Sequence, residues 1–188
     1  MAGLILQQTS LCFDNCDIIF SMKKLRVYLE TSFVSYLTGK ETTNAKIASD
    51  QAHTRRWWEE ERCKCDVFVS NFTLDESREG NVEQVKRRLD AIAGIPEVDF
   101  DRMKVAELAT ALIDGHALPE GETTDALHIA AAAVAGMDVL LTWNCRHMAN
   151  PHTLPLTRDI VIRAGYVCPT VMTPKTFLEN VNMEVGNV

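Results

Sequence analysis

Leu25-Arg26-Val27-Tyr28-Leu29-Glu30-Thr31-Ser32 joins a short β-rich run to a carboxylate and two hydroxyl side chains. Leu25 to Leu29 predicts a strand, and Thr31-Ser32 offers N-cap oxygens for a helix through Phe33 to Leu37. Glu30 then stands at the C-terminal end of that strand. The same alternation of strand and helix continues downstream, and it decides the fold class.

Gly39 to Asp50 is polar and reads as a loop, and Ala52 to Cys63 as a charged helix. Asp66 to Ser70 is the second strand, followed by a helix over Thr73 to Arg78 that Gly80-Asn81 breaks. Val82 to Ala93 resumes the helical period, with Val85, Leu89 and Ile92 on one face. Glu97 to Phe100 is expected as a third strand. Asp101 to Ala117 is expected as a helix with Met103, Ala106, Ala109 and Ile113 in its apolar stripe. Leu118 to Thr123 reads as a loop, Thr124 to Ala135 as an Ala-rich helix ended by Gly136, and Val139 to Thr142 as the fourth strand. Arg158 to Ala164 closes the series as a helix ended by Gly165. Strands separated by helices pair in parallel, so the expectation is an α/β protein: a three-layer α/β/α sandwich around a mainly parallel sheet.

Residues 1–21 contain no Lys or Arg and show no shared apolar period. They are expected to be an N-terminal extension, either poorly ordered or preceding the true start at Met22, with residues 22–188 forming one domain. The longest apolar stretch, Ala126 to Leu141, is broken by His128, Gly136 and Asp138, which argues against a membrane span. Six cysteines without a C-x-x-C pair or zinc-ligand spacing read as reduced thiols of a cytoplasmic protein. The net charge of −7 is the wrong sign for a protein that grips phosphate through its surface. Acting on nucleic acid would require metal ions or a basic partner.

Placement of the carboxylates is the informative feature. Glu30 ends the first strand, Glu76 follows the second, Asp125 lies in the first turn of the Ala-rich helix, and Asn144 follows the fourth strand. In an open parallel sheet these positions face one crevice. Like charges brought together raise one another's pKa, and a hard cation relieves the repulsion. Oxygen ligands suit Mg²⁺ or Mn²⁺, which can activate water and stabilise charge on phosphorus.

Val27-Tyr28-Leu29-Glu30-Thr31-Ser32, Val69-Ser70-Asn71 to Glu76, Thr124-Asp125-Ala126-Leu127-His128-Ile129-Ala130-Ala131 and Leu140-Leu141-Thr142-Trp143-Asn144 together carry a resemblance. In order and spacing they resemble the PIN-domain nucleases, in particular VapC-like toxin ribonucleases of the Thr-Trp-Asn variant. The resemblance spans roughly Leu25 to Leu178. It implies an Mg²⁺- or Mn²⁺-dependent endoribonuclease using metal-activated water, with RNA as substrate, an antitoxin protein as partner, and a homodimer. Glu30, Glu76, Asp125 and Asn144 would be the catalytic and metal-ligating set. Glu30 stands where the family usually has Asp, and Asn144 where it often has Asp, which implies reduced metal affinity.

Several residues carry two readings. Ser32 could hydrogen-bond a metal ligand or simply cap a helix. His128 shares a helix face with Asp125 and could orient a carboxylate, or be a satisfied core histidine. His147 could approach the site or lie on the surface. Asp75 competes with Glu76 for the second ligand position. Trp57-Trp58 with Arg55-Arg56 could stack on RNA or pack the core, and Lys86-Arg87-Arg88 could be a basic contact or a solvated face. The rival functions are a catalytically weak module binding RNA or a protein, and a metal-dependent phosphatase or flap-type DNA nuclease.

Overall fold

Val27, Tyr28 and Leu29 are fully buried, as are Leu140 and Leu141. Strands buried on both faces are the mark of a parallel sheet covered by helices on each side. In the computed structural model, which describes residues 23–185, β1 (Arg26–Leu29) pairs in parallel with β2 (Asp66–Phe68) and with β3 (Val139–Leu141). β4 (Thr170–Met172) pairs in parallel with β3, giving the order β2-β1-β3-β4. The helices are α1 (Thr31–Thr38), α2 (Ala45–Glu60), α3 (Asn71–Ser77), α4 (Val82–Ile92), α5 (Arg102–Asp114), α6 (Thr123–Val134), α7 (Leu154–Arg163) and α8 (Pro174–Val185). The expectations for residues 1–21 lie outside the described residues.

Alternate side chains of the strands separate the core into two halves. Tyr28 and Leu140 pack with Val105, Leu108 and Leu112 of α5 and with Ile129 to Ala133 of α6. Val27, Leu29, Val139 and Leu141 pack on the other face with Phe33, Val34, Trp57, Phe177 and Leu178. The result is a three-layer α/β/α sandwich, as the alternation of elements implied. Gly136 follows the last turn of α6 at φ +65°, the left-handed position that lets the chain turn into β3.

Four expectations are corrected. Helix α2 begins at Ala45, inside the expected loop, because the Asn44 side chain accepts from the backbone N–H of Lys46 and Ile47. Glu97 to Phe100 forms no strand: only Glu97 bridges in parallel to Val69, and Phe100 instead stacks on Phe72. The buried stripe of α5 is Val105, Leu108, Ala109 and Leu112, while Met103 is 73% exposed. The same 3.6-residue period fits both phases, and packing against α6 selects the one with the larger side chains. Cap oxygens for α1 come from Glu30, because Thr31 and Ser32 direct their hydroxyls to Glu76 and Glu30. Of the two readings of Trp57-Trp58, core packing is the one supported: Trp57 is fully buried, and Trp58 lies partly buried under the Arg62 guanidinium at 4.4 Å.

Trp57 meets Phe33 and Phe177 edge-on at 5.3 and 5.7 Å, fastening α2 to α1 and α8. Trp57→Ala is therefore expected to lower the unfolding free energy by about 3–5 kcal/mol. Urea denaturation followed by circular dichroism would read this as a lower midpoint. Cys63, Cys65, Cys145 and Cys168 are free thiols. No helix among the described residues is long and apolar enough to cross a membrane.

Candidate active site

The C-terminal ends of β1 and β3 lie side by side, and the chain leaves each strand through a polar residue. After β1 comes Glu30, only 6% exposed, whose Oε1 accepts from Ser32 N at 3.0 Å. Its Oε2 accepts from Thr142 Oγ1 at 2.7 Å and from Ser32 Oγ. Ser32 Oγ in turn accepts from Trp143 N at 2.7 Å, and Thr142 Oγ1 from Asn144 N at 2.9 Å. Two hydroxyls thus tie the end of β1 to the end of β3 and fix one carboxylate between them.

Glu76 arrives from α3. Its Oε2 accepts from Thr31 Oγ1 and lies 2.9 Å from His128 Nε2. His128 is fully buried on α6, and its Nδ1 lies 2.7 Å from the Tyr28 hydroxyl, which is 2.5 Å from Ser70 Oγ. With the ring proton on Nε2, His128 donates to Glu76 and accepts from Tyr28. Burial would raise the Glu76 carboxyl, but the hydrogen bonds from His128 and Thr31 outweigh it and hold the group below its ordinary range. Burial pushes the Tyr28 phenol far above its usual range, so it stays protonated and able to donate.

Asp125 sits in the first turn of α6, and its Oδ2 accepts from Asn144 Nδ2 at 2.6 Å. Burial, then the charges of Glu30 and Glu122, push its carboxyl up to about 6. His147 Nδ1 lies 3.1 Å from Glu122 Oε1 and 3.8 Å from Asp125 Oδ2, without hydrogen-bond alignment to either.

Glu30, Glu76, Asp125 and Asn144 all line one cavity of about 600 Å³, together with Thr31, Ser32 and Trp143. Around it, among the described residues, the metal-capable side chains form two tighter groups rather than one: Glu30, Glu76 and His128, and separately Glu122, Asp125 and His147; of these only Glu30, Glu76 and Asp125 line the cavity. Glu76 is the cavity residue and Asp75 is not; Asp75 is 68% exposed and pairs with Arg78 at 2.7 Å. Ser32 contacts the carboxylate of Glu30, His128 that of Glu76, and His147 those of Glu122 and Asp125. His128 satisfies both of its readings at once.

Glu122, Thr142, Tyr36 and Arg88 were not singled out as site residues from sequence. Glu122-x-x-Asp125 spacing at a helix start was the available signal for the first. Tyr36 and Arg88 line the cavity from α1 and α4; nothing in the local sequence marks Tyr36, and the basic run Lys86-Arg87-Arg88 does not say which of its members faces the site. No family model matches the chain, and no curated protein sequence matches it at a significant level.

Proposed function

We propose that this protein is a divalent-metal-dependent endoribonuclease of PIN-like type. The observation that carries the reading is the convergence of Glu30, Glu76, Asp125 and Asn144, from four separate chain segments, on one cavity at the C-terminal edge of a parallel sheet.

The donor set suits a hard cation. Glu76 Oε1 and Asp125 Oδ1 take no hydrogen bond among the described residues, while the other oxygen of each is held by a neighbour. Glu30 uses three of roughly four acceptor sites, leaving one. Glu30 and Glu76 from the one group and Asp125 from the other would hold Mg²⁺ or Mn²⁺ between them, with Asn144 as a neutral fourth ligand or brace. When bound, the ion supplies positive charge to phosphate oxygens and to the hydrolytic water. The chain's own part is orientation. Ser32 and Thr142 aim Glu30, Thr31 and His128 aim Glu76, and Asn144 aims Asp125. Such supporting bonds typically change metal affinity or activity by about 10–100-fold. The antitoxin and homodimer implied by the resemblance belong to the same proposal.

Purified protein incubated with single-stranded RNA should cut it in Mg²⁺ or Mn²⁺ and leave it intact in EDTA. Its melting temperature should rise with Mn²⁺ concentration, because the ion binds only the folded state. Cleavage that is insensitive to EDTA would overturn the metal assignment. Absence of both the Mn²⁺ shift and cutting would favour the binding-module reading, which draws on Asn144 being an amide tied at both ends, to Asp125 and to His147 N.

A further inference from the structure

Besides its carboxylates, the cavity is lined by two aromatic rings and one guanidinium. Tyr36 and Trp143 stack on each other, centroids 5.4 Å apart and planes 25° from parallel. Trp143 is held at two points, its indole Nε1 donating to the buried Thr54 Oγ1 at 2.8 Å and its backbone N to Ser32 Oγ. Trp143 is therefore fixed one residue from Asn144 and directly bonded to the network that holds Glu30, with Tyr36 stacked against it.

Arg88 is the one member of the basic run Lys86-Arg87-Arg88 that lines this cavity. Lys86 pairs with Asp90, and Arg87 with Glu83, so their charges are locally offset. Arg88 has no carboxylate partner among the described residues. Its Nε donates to Ser77 O at 3.2 Å, and another nitrogen donates to Glu79 O. Two of five guanidinium N–H groups are used against backbone carbonyls, which fixes the fork and leaves donors for a planar anion. Gly80, at φ +94°, forms the turn beside it, 3.9 Å from Arg88 to where a Cβ would stand.

Carboxylates suited to a cation, a flat aromatic surface and an unbalanced, pre-set arginine match the parts of one nucleotide with its flanking phosphate. The cavity volume falls within the range of about 300–1,000 Å³ usual for sites that enclose small organic groups. On the reading that the carboxylates cut RNA, we propose that Tyr36 and Trp143 stack an unpaired base and that Arg88 holds a neighbouring phosphate. Stacking accepts any base but not a paired one, because a base inside a duplex has both faces covered by its neighbours. The pair therefore selects single-stranded segments, with little preference among the four bases.

Fluorescence anisotropy tests both grips, using a labelled oligouridylate, the same chain carrying abasic riboses, and a labelled duplex, all in Ca²⁺. The wild-type protein should bind the oligouridylate about tenfold more tightly than the abasic chain, and the duplex more weakly than the oligouridylate. Tyr36→Ala should abolish the preference for bases, and Tyr36→Phe should retain it. Arg88→Gln should weaken both single strands by the same factor and flatten the slope of log affinity against log salt by about 0.7. Equal wild-type affinity for the base-bearing and abasic chains, or a base preference surviving Tyr36→Ala, would overturn the stacking role. An unchanged salt slope in Arg88→Gln would overturn the phosphate role. Failure of the wild-type protein to cut RNA in Mg²⁺ would strike the nuclease reading alone, since base preference is measured without cleavage.

Discussion

Asp125→Asn is expected to abolish Mg²⁺-dependent RNA cleavage and, in EDTA at slightly alkaline pH, to make the protein more heat-stable. The second effect follows from the cost of holding Asp125 ionised where it lies. Its carboxyl titrates at about 6 rather than 3.8, pushed up by burial first and then by Glu30 and Glu122. An acid whose pKa is raised on folding binds its proton more tightly in the native state. Its contribution to stability is therefore intact below the unfolded value, falls as pH climbs from 3.8 to about 6, and is a full penalty above that. The interval corresponds to a penalty of about 3 kcal/mol. Its removal should raise the melting temperature by about 6–12 °C for a domain of this size. Below about pH 4 the wild-type and variant proteins should melt together. Cleavage should fall by more than the roughly 100-fold that marks the upper end of outer-shell changes at metal sites. Undiminished cutting by the variant would remove Asp125 from the mechanism. A variant less stable than wild type in EDTA would mean that the hydrogen bond from Asn144 outweighs the charge penalty.

His128→Leu should have the largest effect on stability among substitutions at the site. The imidazole is fully buried, and its two nitrogens contact the Tyr28 hydroxyl and the Glu76 carboxylate. Leucine fills much of the same space but leaves both groups facing an apolar neighbour. Orphaning a buried hydroxyl and a partly buried carboxylate together should cost about 3–5 kcal/mol. Thermal melts should place the variant at least about 6 °C below wild type. Tyr28→Phe is the comparison, since it removes one hydroxyl and keeps the bond to Glu76; about 1–2 kcal/mol is expected there. Residual folded His128→Leu should cut RNA at a rate about 10–100-fold lower, because Glu76 keeps only Thr31 to orient it. Equal losses from the two variants would show that Tyr28, rather than Glu76, is the partner that matters.

The parts of the molecule legible in sequence are those whose side chains repeat. Val27, Tyr28 and Leu29, or Leu140 and Leu141, make short apolar runs that a doubly covered strand requires. Their C-terminal ends then locate Glu30 and Asn144 without further knowledge. Helix α2 was only half legible, because of its first turns only Asp50 and Gln51 are buried, and polar residues leave no stripe to see. β4 was missed altogether: Thr170, Val171 and Met172 contain one buried side chain, and Pro169 and Pro174 frame a segment that reads as a loop. Within the site, successive residues of a helix point about 100° apart. That turn sends Glu76 into the cavity and Asp75 to solvent, and distinguishes Arg88 from Arg87 and Lys86. Such differences depend on how each helix is rotated against the sheet, which is a property of packing and invisible to spacing alone. The division of the carboxylates into a Glu30–Glu76 group and an Asp125–Glu122 group has the same origin.

The two hydroxyls that tie β1 to β3 also constrain how this site could have changed over time. Ser32 and Thr142 each donate to Glu30 while accepting from the backbone of the segment after β3. Replacing either alone leaves the carboxylate short of a donor and strands a backbone N–H at the same moment. The losses from Ser32→Ala and Thr142→Val should then not add, because the first break already releases what the second would break. Glu30, Ser32 and Thr142 form one coupled unit of this kind: each is a poor starting point for drift while the other two remain. A descendant that shortened Glu30 to Asp would have to reposition both hydroxyls along with it.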